Sequence, residues 1–453
     1  MEAPAFLEDI YPENFLYALT IRSPIAKGRL KSINFPELPE NYTVITAKNI
    51  PGENRLENTS MPVLAEANLS YIGEPVAIIL GHDKTKLEEL ASKCEITADE
   101  EKAVFSNSEA ANLKQNTPSL LREVLIGSTE TFYNNSGKIV ADSYVTGIQE
   151  HWYAEPAGAV TWYEKNKLLT VKTATQWPFH VKRSVACLLG IETSLVSVEP
   201  TSLNLHMDGK LWFPSLLTCH AALGTFITKK PVRLILTREE DFLFSPKRCN
   251  SNIDIASIIN ENGDIMATEI DISVNIGAHE VFGQEILDQV CLGCIGYYNF
   301  CNVKVSARVN LTNIPPQGAF CGFGISQGAF VIERHISQIA DMVNQDPALW
   351  RKNKINTNLI LPSAHVKSII SGDDLINQAA KMSDYHRKWA SYELLRQTNK
   401  EKKPEKGENP RGIGIAIGFQ GNDLLYHHGD KGKYSIEVTL TKEGVLEIKT
   451  NIS

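Results

Sequence analysis

Cysteine is scarce in this sequence: eight residues in a chain of 453, at positions 94, 187, 219, 249, 291, 294, 301 and 321. A disulfide-built scaffold is thereby excluded, because such folds need a far higher density. Long apolar runs are missing too, and none approaches the ~20 residues that a membrane-spanning helix needs. The opening Met1-Glu2-Ala3-Pro4 has neither a basic flank nor an apolar signal core. Together these absences predict a reducing, cytoplasmic setting with no membrane role. A basic surplus is also lacking: Lys and Arg number 45 against 53 Asp and Glu, a net charge of −8. Nucleic acid is held by basic surfaces, so it is not an expected partner.

What is present is the balance of a globular protein, 43% apolar and 22% charged. The length is too great for one ordinary core and predicts two to four domains. The first ~120 residues alternate short strand-like and helical runs. Phe15 to Ile21 and Ser70 to Leu80 have strand patterns, with Gly73 and Pro75 marking a bend. Lys84 to Cys94 predicts a helix, and Glu95-Ile96-Thr97 a strand. Residues 104–136 are polar and rich in Ser, Asn and Thr, the composition of a connector.

Farther on, Leu168 to Thr173 alternates as a strand does. Pro178 and Pro214 each suit the first turn of a helix, and Gly190 suits a helix stop. Val232 to Leu236 predicts a strand, and Asn260 to Asp264 a turn between the strand-like stretches 251–258 and 266–274. From Gln327, the apolar residues Ile332, Ile336, Ile339, Ala340 and Val343 share one helical face. A single helix is expected over 373–397, then a solvated linker from Lys400 to Pro410. Strands are expected at 412–419, 434–440 and 444–448. The fold class is therefore α/β or α+β.

Several short motifs stand in order. Arg22-Ser23-Pro24-Ile25-Ala26-Lys27-Gly28-Arg29 and Tyr71-Ile72-Gly73-Glu74-Pro75-Val76-Ala77 lie early. Gln149-Glu150-His151-Trp152-Tyr153-Ala154-Glu155-Pro156 follows, then Thr175-Gln176, Pro231-Val232-Arg233, Thr237 to Asp241 and Lys247-Arg248. Thr312-Asn313, Ala319-Phe320-Cys321-Gly322-Phe323-Gly324 and Gly412 to Ala416 complete the series. In this order and spacing they resemble the N-terminal half of the large, molybdenum-binding subunit of the xanthine dehydrogenase and aldehyde oxidase family.

The resemblance implies a hammerhead-like α/β domain over 1–125 and a first molybdopterin-binding domain over 137–400. Strands in 412–453 would lead into a second molybdopterin-binding domain. The implied chemistry is hydroxylation of a heteroaromatic or aldehyde carbon, with oxygen from water and electrons passed to iron–sulfur clusters and then FAD on partner subunits. In the family the second domain supplies most pterin contacts and the glutamate base. No catalytic residue and no protein metal ligand is therefore expected within this chain, and a partner carrying the second half is.

The implied cofactor-binding residues are Gln176, Gly209, Lys210 and the loop Phe320, Cys321, Gly322, Phe323 and Gly324. Gln176 occupies the position of a glutamine that hydrogen-bonds an oxygen ligand of molybdenum; the competing reading is a helix-entry side chain bonded to nearby backbone. The family's loop Gly-Gly-Gly-Phe-Gly-Gly-Lys falls on Asn204-Leu205-His206-Met207-Asp208-Gly209-Lys210, where only the last two match. Met207, Leu211 and Cys321 would line the substrate pocket, and with Leu211 and Cys321 there a purine would not be gripped by a carboxylate and a guanidinium. Cys321 has two readings, a metal-facing thiol or a small residue in a glycine-rich loop. The altered loop leaves a rival function open, a non-catalytic assembly or interaction subunit that has lost cofactor binding.

Other clusters have plainer explanations. Cys291-x-x-Cys294 suits small apolar residues between strands more than a metal site, which needs further paired ligands. His151 and Glu155 lack a second histidine at metal spacing. Arg238 to Asp241 suits a helix start, and His427-His428 beside Asp430 a solvated loop or a weak metal site.

Overall fold

A computed structural model describes residues 6–113, 118–128, 130, 137–203, 208–298, 300–355, 358–360, 367–369, 372–398, 411–418, 436–442 and 444–450. Its largest sheet has seven strands in the order Val196–Pro200, Leu169–Thr173, Gly158–Tyr163, Val232–Ile235, Leu16–Arg22, Pro75–Gly81 and Thr43–Thr46. Pro75–Gly81 is apolar along its length and buried along its length, as an inner strand covered on both faces must be. It runs antiparallel to Leu16–Arg22, with Leu19 opposite Ile79. The other edge of Leu16–Arg22 takes Val232–Ile235 in parallel, Leu16 opposite Val232 and Tyr17 opposite Arg233. Strands from before and after position 125 thus share one sheet.

Two helices pack into the core of this sheet. Pro178–Leu189 starts with proline at its first turn, where no N–H partner is needed, and stops at Gly190 in the left-handed region at φ 62°. Phe213–Thr228 is buried on nearly every side because its sequence is apolar on nearly every side. Its Trp212-to-Leu223 residues meet Leu16, Ile45, Leu56, Met61, Val63 and Leu64 in one cluster.

A second sheet has five strands, in the order Leu120–Ile126, Val303–Asn310, Ile265–Asn275, Asn250–Ile259 and Lys138–Thr146. The hairpin Asn250–Ile259 to Ile265–Asn275 turns where Asn260 Oδ1 accepts the N–H groups of Asn262 and Asp264, both at 2.9 Å. Helices Gly283–Ile295 and Ile325–Met342 cover the sheet's inner face. They approach closely because Gly293 and Gly328 face the partner backbone: a Cβ on either would lie 2.3 Å from a carbonyl oxygen of the other helix. A smaller sheet joins Gly28–Asn34 to Asn68–Leu69 and Glu95–Glu100.

Three expectations need correction. The stretch 104–136 is not merely a connector: it holds the helix Asn107–Ala111 and the edge strand Leu120–Ile126. Its polar residues are used internally, since the buried Asn107 amide donates to Asn252 Oδ1 and to the Ser273 carbonyl at 3.0 and 3.1 Å. The expected helix 373–397 is two helices, Gly372–Ser383 and Tyr385–Thr398, broken at Asp384 with φ 53°. Residues 411–418 form no strand, whereas Ile436–Leu440 and Leu446–Thr450 pair as a hairpin. Cys291 and Cys294 are small buried core residues, as expected, in the helix Gly283–Ile295 that runs between the strands Ile265–Asn275 and Val303–Asn310. The linker Lys400 to Pro410 and His427, His428 and Asp430 lie outside the described residues. Among the described residues no helix is long and apolar enough to cross a membrane.

Candidate functional site

Three segments converge on the residues singled out from sequence. The first carries His151, Tyr153 and Glu155. The second is the Gln176 entry to helix Pro178–Leu189 together with Asp208-Gly209-Lys210. The third is the loop Phe320–Gly324 leading into helix Ile325–Met342. The Lys210 carbonyl accepts the Gln176 N–H at 2.8 Å, which fastens the two parts of the second segment. Tyr153 ties the first to the second: its hydroxyl accepts the Gly209 N–H at 3.2 Å and donates to Gln176 Oε1 at 3.4 Å. The Gln176 amide donates to Asp208 Oδ1 at 3.0 Å. Asp208 itself sits at φ 65°, in the left-handed region.

His151 ties the first segment to the third. Its ring stacks on Phe320 at 4.6 Å and on Tyr153 at 5.8 Å, and Nε2 meets the Ala319 carbonyl at 3.0 Å. Gly209 is required against this ring, because a Cβ there would fall 2.7 Å from it. Burial lowers the proton affinity of the His151 imidazole. Arg248 extends the stack, its guanidinium 4.2 Å from the Phe320 ring centre, and Lys210 stands 4.8 Å from the Tyr153 ring centre.

Lys210 is turned inward. Its side chain is 3% exposed, 3.9 Å from Glu155 Oε2, and donates to the Glu155 carbonyl at 3.1 Å. Burial pushes the ammonium below its ordinary range and the Glu155 carboxyl above its own, and each partner pulls the other back. Glu155 Oε1 also accepts the Leu7 N–H at 2.6 Å, so this pair anchors the N-terminal segment.

In the third segment Gly322 and Phe323 are both left-handed, φ 80° and 55°, which curls the loop into the helix start. Phe323 packs edge-on to Phe282 at 5.6 Å, and Phe282 stacks on Trp177 beside Gln176 at 5.7 Å. Gly324 is buried, and a Cβ there would lie 2.5 Å from Val290 Cγ2. Cys321 is exposed and Leu211 half-buried. Asn204, Leu205, His206 and Met207 lie outside the described residues. Gln176, Gly209, Lys210 and the 320–324 loop are therefore neighbours through Tyr153, which the sequence marked only within a motif, and His151, which it weighed only as an unsupported metal ligand. Arg238 to Asp241 does begin a helix, capped by Thr237 with Glu240 in reciprocal bonds.

Residues 112–355 match the model of the molybdopterin cofactor-binding domain, and residues 3–102 that of the aldehyde oxidase and xanthine dehydrogenase a/b hammerhead domain. The nicotinate dehydrogenase large molybdopterin subunit of Eubacterium barkeri is 26% identical, covering 77% of this chain and 84% of that protein. Aldehyde oxidase 2 of Macaca fascicularis is 27% identical, covering 99% of this chain but 34% of its own length. Among solved structures, the aldehyde oxidoreductase of Desulfovibrio desulfuricans superposes with a TM-score of 0.84 at 19% identity, over 98% of this chain and 50% of that chain. CO dehydrogenase from Oligotropha carboxidovorans gives 0.75 at 18% identity, over 88% and 54%. The chain thus spans about half the length of the solved structures it matches.

Proposed function

The chain belongs to the molybdopterin cofactor-binding family of aldehyde oxidases and xanthine dehydrogenases, and from that premise we propose that it forms part of the cofactor site of a molybdenum hydroxylase. The proposed reaction is hydroxylation of a heteroaromatic or aldehyde carbon. When bound, the molybdenum cofactor supplies the two-electron oxidation, with water as the source of oxygen. The observation that carries this reading is the convergence of Gln176, Gly209 and the Phe320–Gly324 loop within a matched cofactor-binding domain.

The donor set fits an anionic, oxygen-rich group. Gln176 places one amide N–H on Asp208 and has no second acceptor among the described residues. Among the described residues Arg248 Nε and Nη1 are buried without an acceptor. Helix Ile325–Met342 starts at Gly324 with no side-chain cap, which leaves its positive end toward the loop. In this proposal Gln176, Gly209, Phe320, Cys321, Gly322, Phe323 and Gly324 face the cofactor. Lys210 acts from behind, holding the Asp208–Lys210 loop through Glu155. Leu211 and the exposed Cys321 give the substrate side an apolar and a thiol wall.

The relative from Eubacterium barkeri is named a large subunit, and this chain covers 84% of it. That supports a multi-subunit enzyme. The partners would be a second molybdopterin-binding half bearing a glutamate base, with iron–sulfur and FAD subunits. A reducing, cytoplasmic setting suits the eight free thiols, four of them buried. The test is molybdenum content, measured by mass spectrometry on the protein purified from its host and on the recombinant chain alone. The host complex is expected to hold near-stoichiometric molybdenum and the lone recombinant chain none. A host-purified protein without molybdenum or accompanying subunits overturns the reading.

A further inference from the structure

The side chain of Gln176 is held at both ends by other side chains. Its Nε2 donates to Asp208 Oδ1 at 3.0 Å, and its Oε1 accepts the Tyr153 O–H at 3.4 Å. Its backbone is fixed separately, because the N–H donates to the Lys210 carbonyl at 2.8 Å. What remains to be decided is which end of the amide faces which way. A tyrosine hydroxyl both donates and accepts, so Tyr153 can face either end. The carboxylate of Asp208 only accepts, so the end beside it is the nitrogen.

Position 208 falls on a glycine of the family loop quoted above. Asp208 keeps a glycine-like backbone, with φ 65°, in a region that aspartate enters more readily than most residues. The exchange thus preserves the turn of the loop and adds a carboxylate. Arg248 meets the added charge. Among the described residues Asp208 is the carboxylate that acts on this guanidinium, whose Nε and Nη1 are buried without an acceptor. Arg248 is only 6% exposed, so water screens that attraction little.

We propose that Asp208 is a positioning residue of the cofactor site: it sets the Gln176 amide so that its second N–H is offered to an oxygen of the cofactor, and Arg248 offsets its charge. This rests on the molybdenum-hydroxylase reading given above. With glycine at 208 the amide is free to turn its carbonyl to the site, and a carbonyl oxygen offers an oxygen-rich anion no donor. Tyr153 cannot prevent that turn, because its hydroxyl suits both orientations.

The experiment compares the parent with Asp208→Asn and Asp208→Gly. Both substitutes tolerate a left-handed backbone, so neither strains the loop. Asparagine still has an oxygen to turn toward Gln176 but no charge, and glycine has no acceptor. In the full recombinant chain with isotope-labelled glutamine, exchange of the Gln176 side-chain amide with water is read by NMR, and Gln176→Glu assigns the signal. Exchange is expected to be at least roughly tenfold faster in Asp208→Gly than in the parent, the scale of one charge-assisted hydrogen bond, with Asp208→Asn between them. Equal rates in the parent and Asp208→Gly overturn the proposal. The host-purified complex with its accompanying subunits gives a second readout, the EPR spectrum of its partly reduced molybdenum. Asp208→Gly should shift that spectrum, and Asp208→Asn should restore most of the parent form. A spectrum unchanged in Asp208→Gly overturns the proposal. So does loss of molybdenum from Asp208→Asn, which makes the carboxylate itself a cofactor contact. Molybdenum in the parent complex separates the two levels: normal content with spectra that do not respond defeats this inference alone, and absent molybdenum defeats the reading beneath it.

Discussion

His220 and His335 are both buried, and each uses Nε2, toward the Val63 carbonyl at 2.9 Å and Ser257 Oγ at 2.8 Å respectively. In both, Nδ1 has no partner among the described residues, and burial brings the imidazole down to about 4. An unfolded histidine takes its proton near 6.5, so between about 6.5 and 4 the unfolded chain binds more protons. Stability from these neutral rings is full above pH 6.5 and is lost as pH falls through that window. From pH 7 to 5 the loss should be about 2 kcal/mol for each ring. Urea midpoints at the two pH values check this, and His335→Gln should flatten the dependence; an unchanged slope in that variant contradicts the account. None of this was legible in the sequence, where a lone histidine carries no mark of its burial. Gln176 and the Phe320–Gly324 loop could be singled out as candidates because their neighbours in sequence are specific. Arg248 was not, because its isolation depends on what fails to surround it.

Among elements, the pair of helices Gly283–Ile295 and Ile325–Met342 depends on two glycines. Gly328 has no room for a methyl group, since the nearest obstacle is the Val290 carbonyl, part of a backbone that cannot swing aside. Alanine ordinarily favours a helix by about 1 kcal/mol over glycine. Here Gly328→Ala should instead cost about 1–3 kcal/mol from overpacking. Gly412→Ala, with nothing within 4 Å, should change little. Equal melting temperatures for both variants would sink the claim. Periodicity announced the helix Ile325–Met342 correctly because its apolar stripe is wide and regular. It failed at 373–397, where only the left-handed Asp384 separates two helices. It failed at Leu120–Ile126 because Leu121 and Leu125 are apolar yet exposed, which hides the alternation of an edge strand with one solvated face.

At the scale of the whole molecule, the seven-stranded sheet joins the chain's beginning to its middle. Leu7 is fully buried and bonded to Glu155, and Leu16 pairs with Val232. Residues 6–113 expressed alone should therefore lack a cooperative melt and near-UV dichroism, and regain both when mixed with 118–453. A sharp melt for the short fragment by itself would refute this. The strands at Leu16–Arg22 and Val232–Ile235 were each visible in their local patterns, but alternation says which residues face inward and nothing about which distant strand lies alongside.

That pairing also sets a clock. During synthesis the Leu16–Arg22 strand meets Pro75–Gly81 early, while its other edge waits for Val232. Roughly 150 residues must be added in between, on the order of 10–30 s at ordinary ribosome speeds. For that interval the nascent chain presents an unmatched strand edge, so its yield should depend on how fast it is translated and on what shields it as it leaves the ribosome.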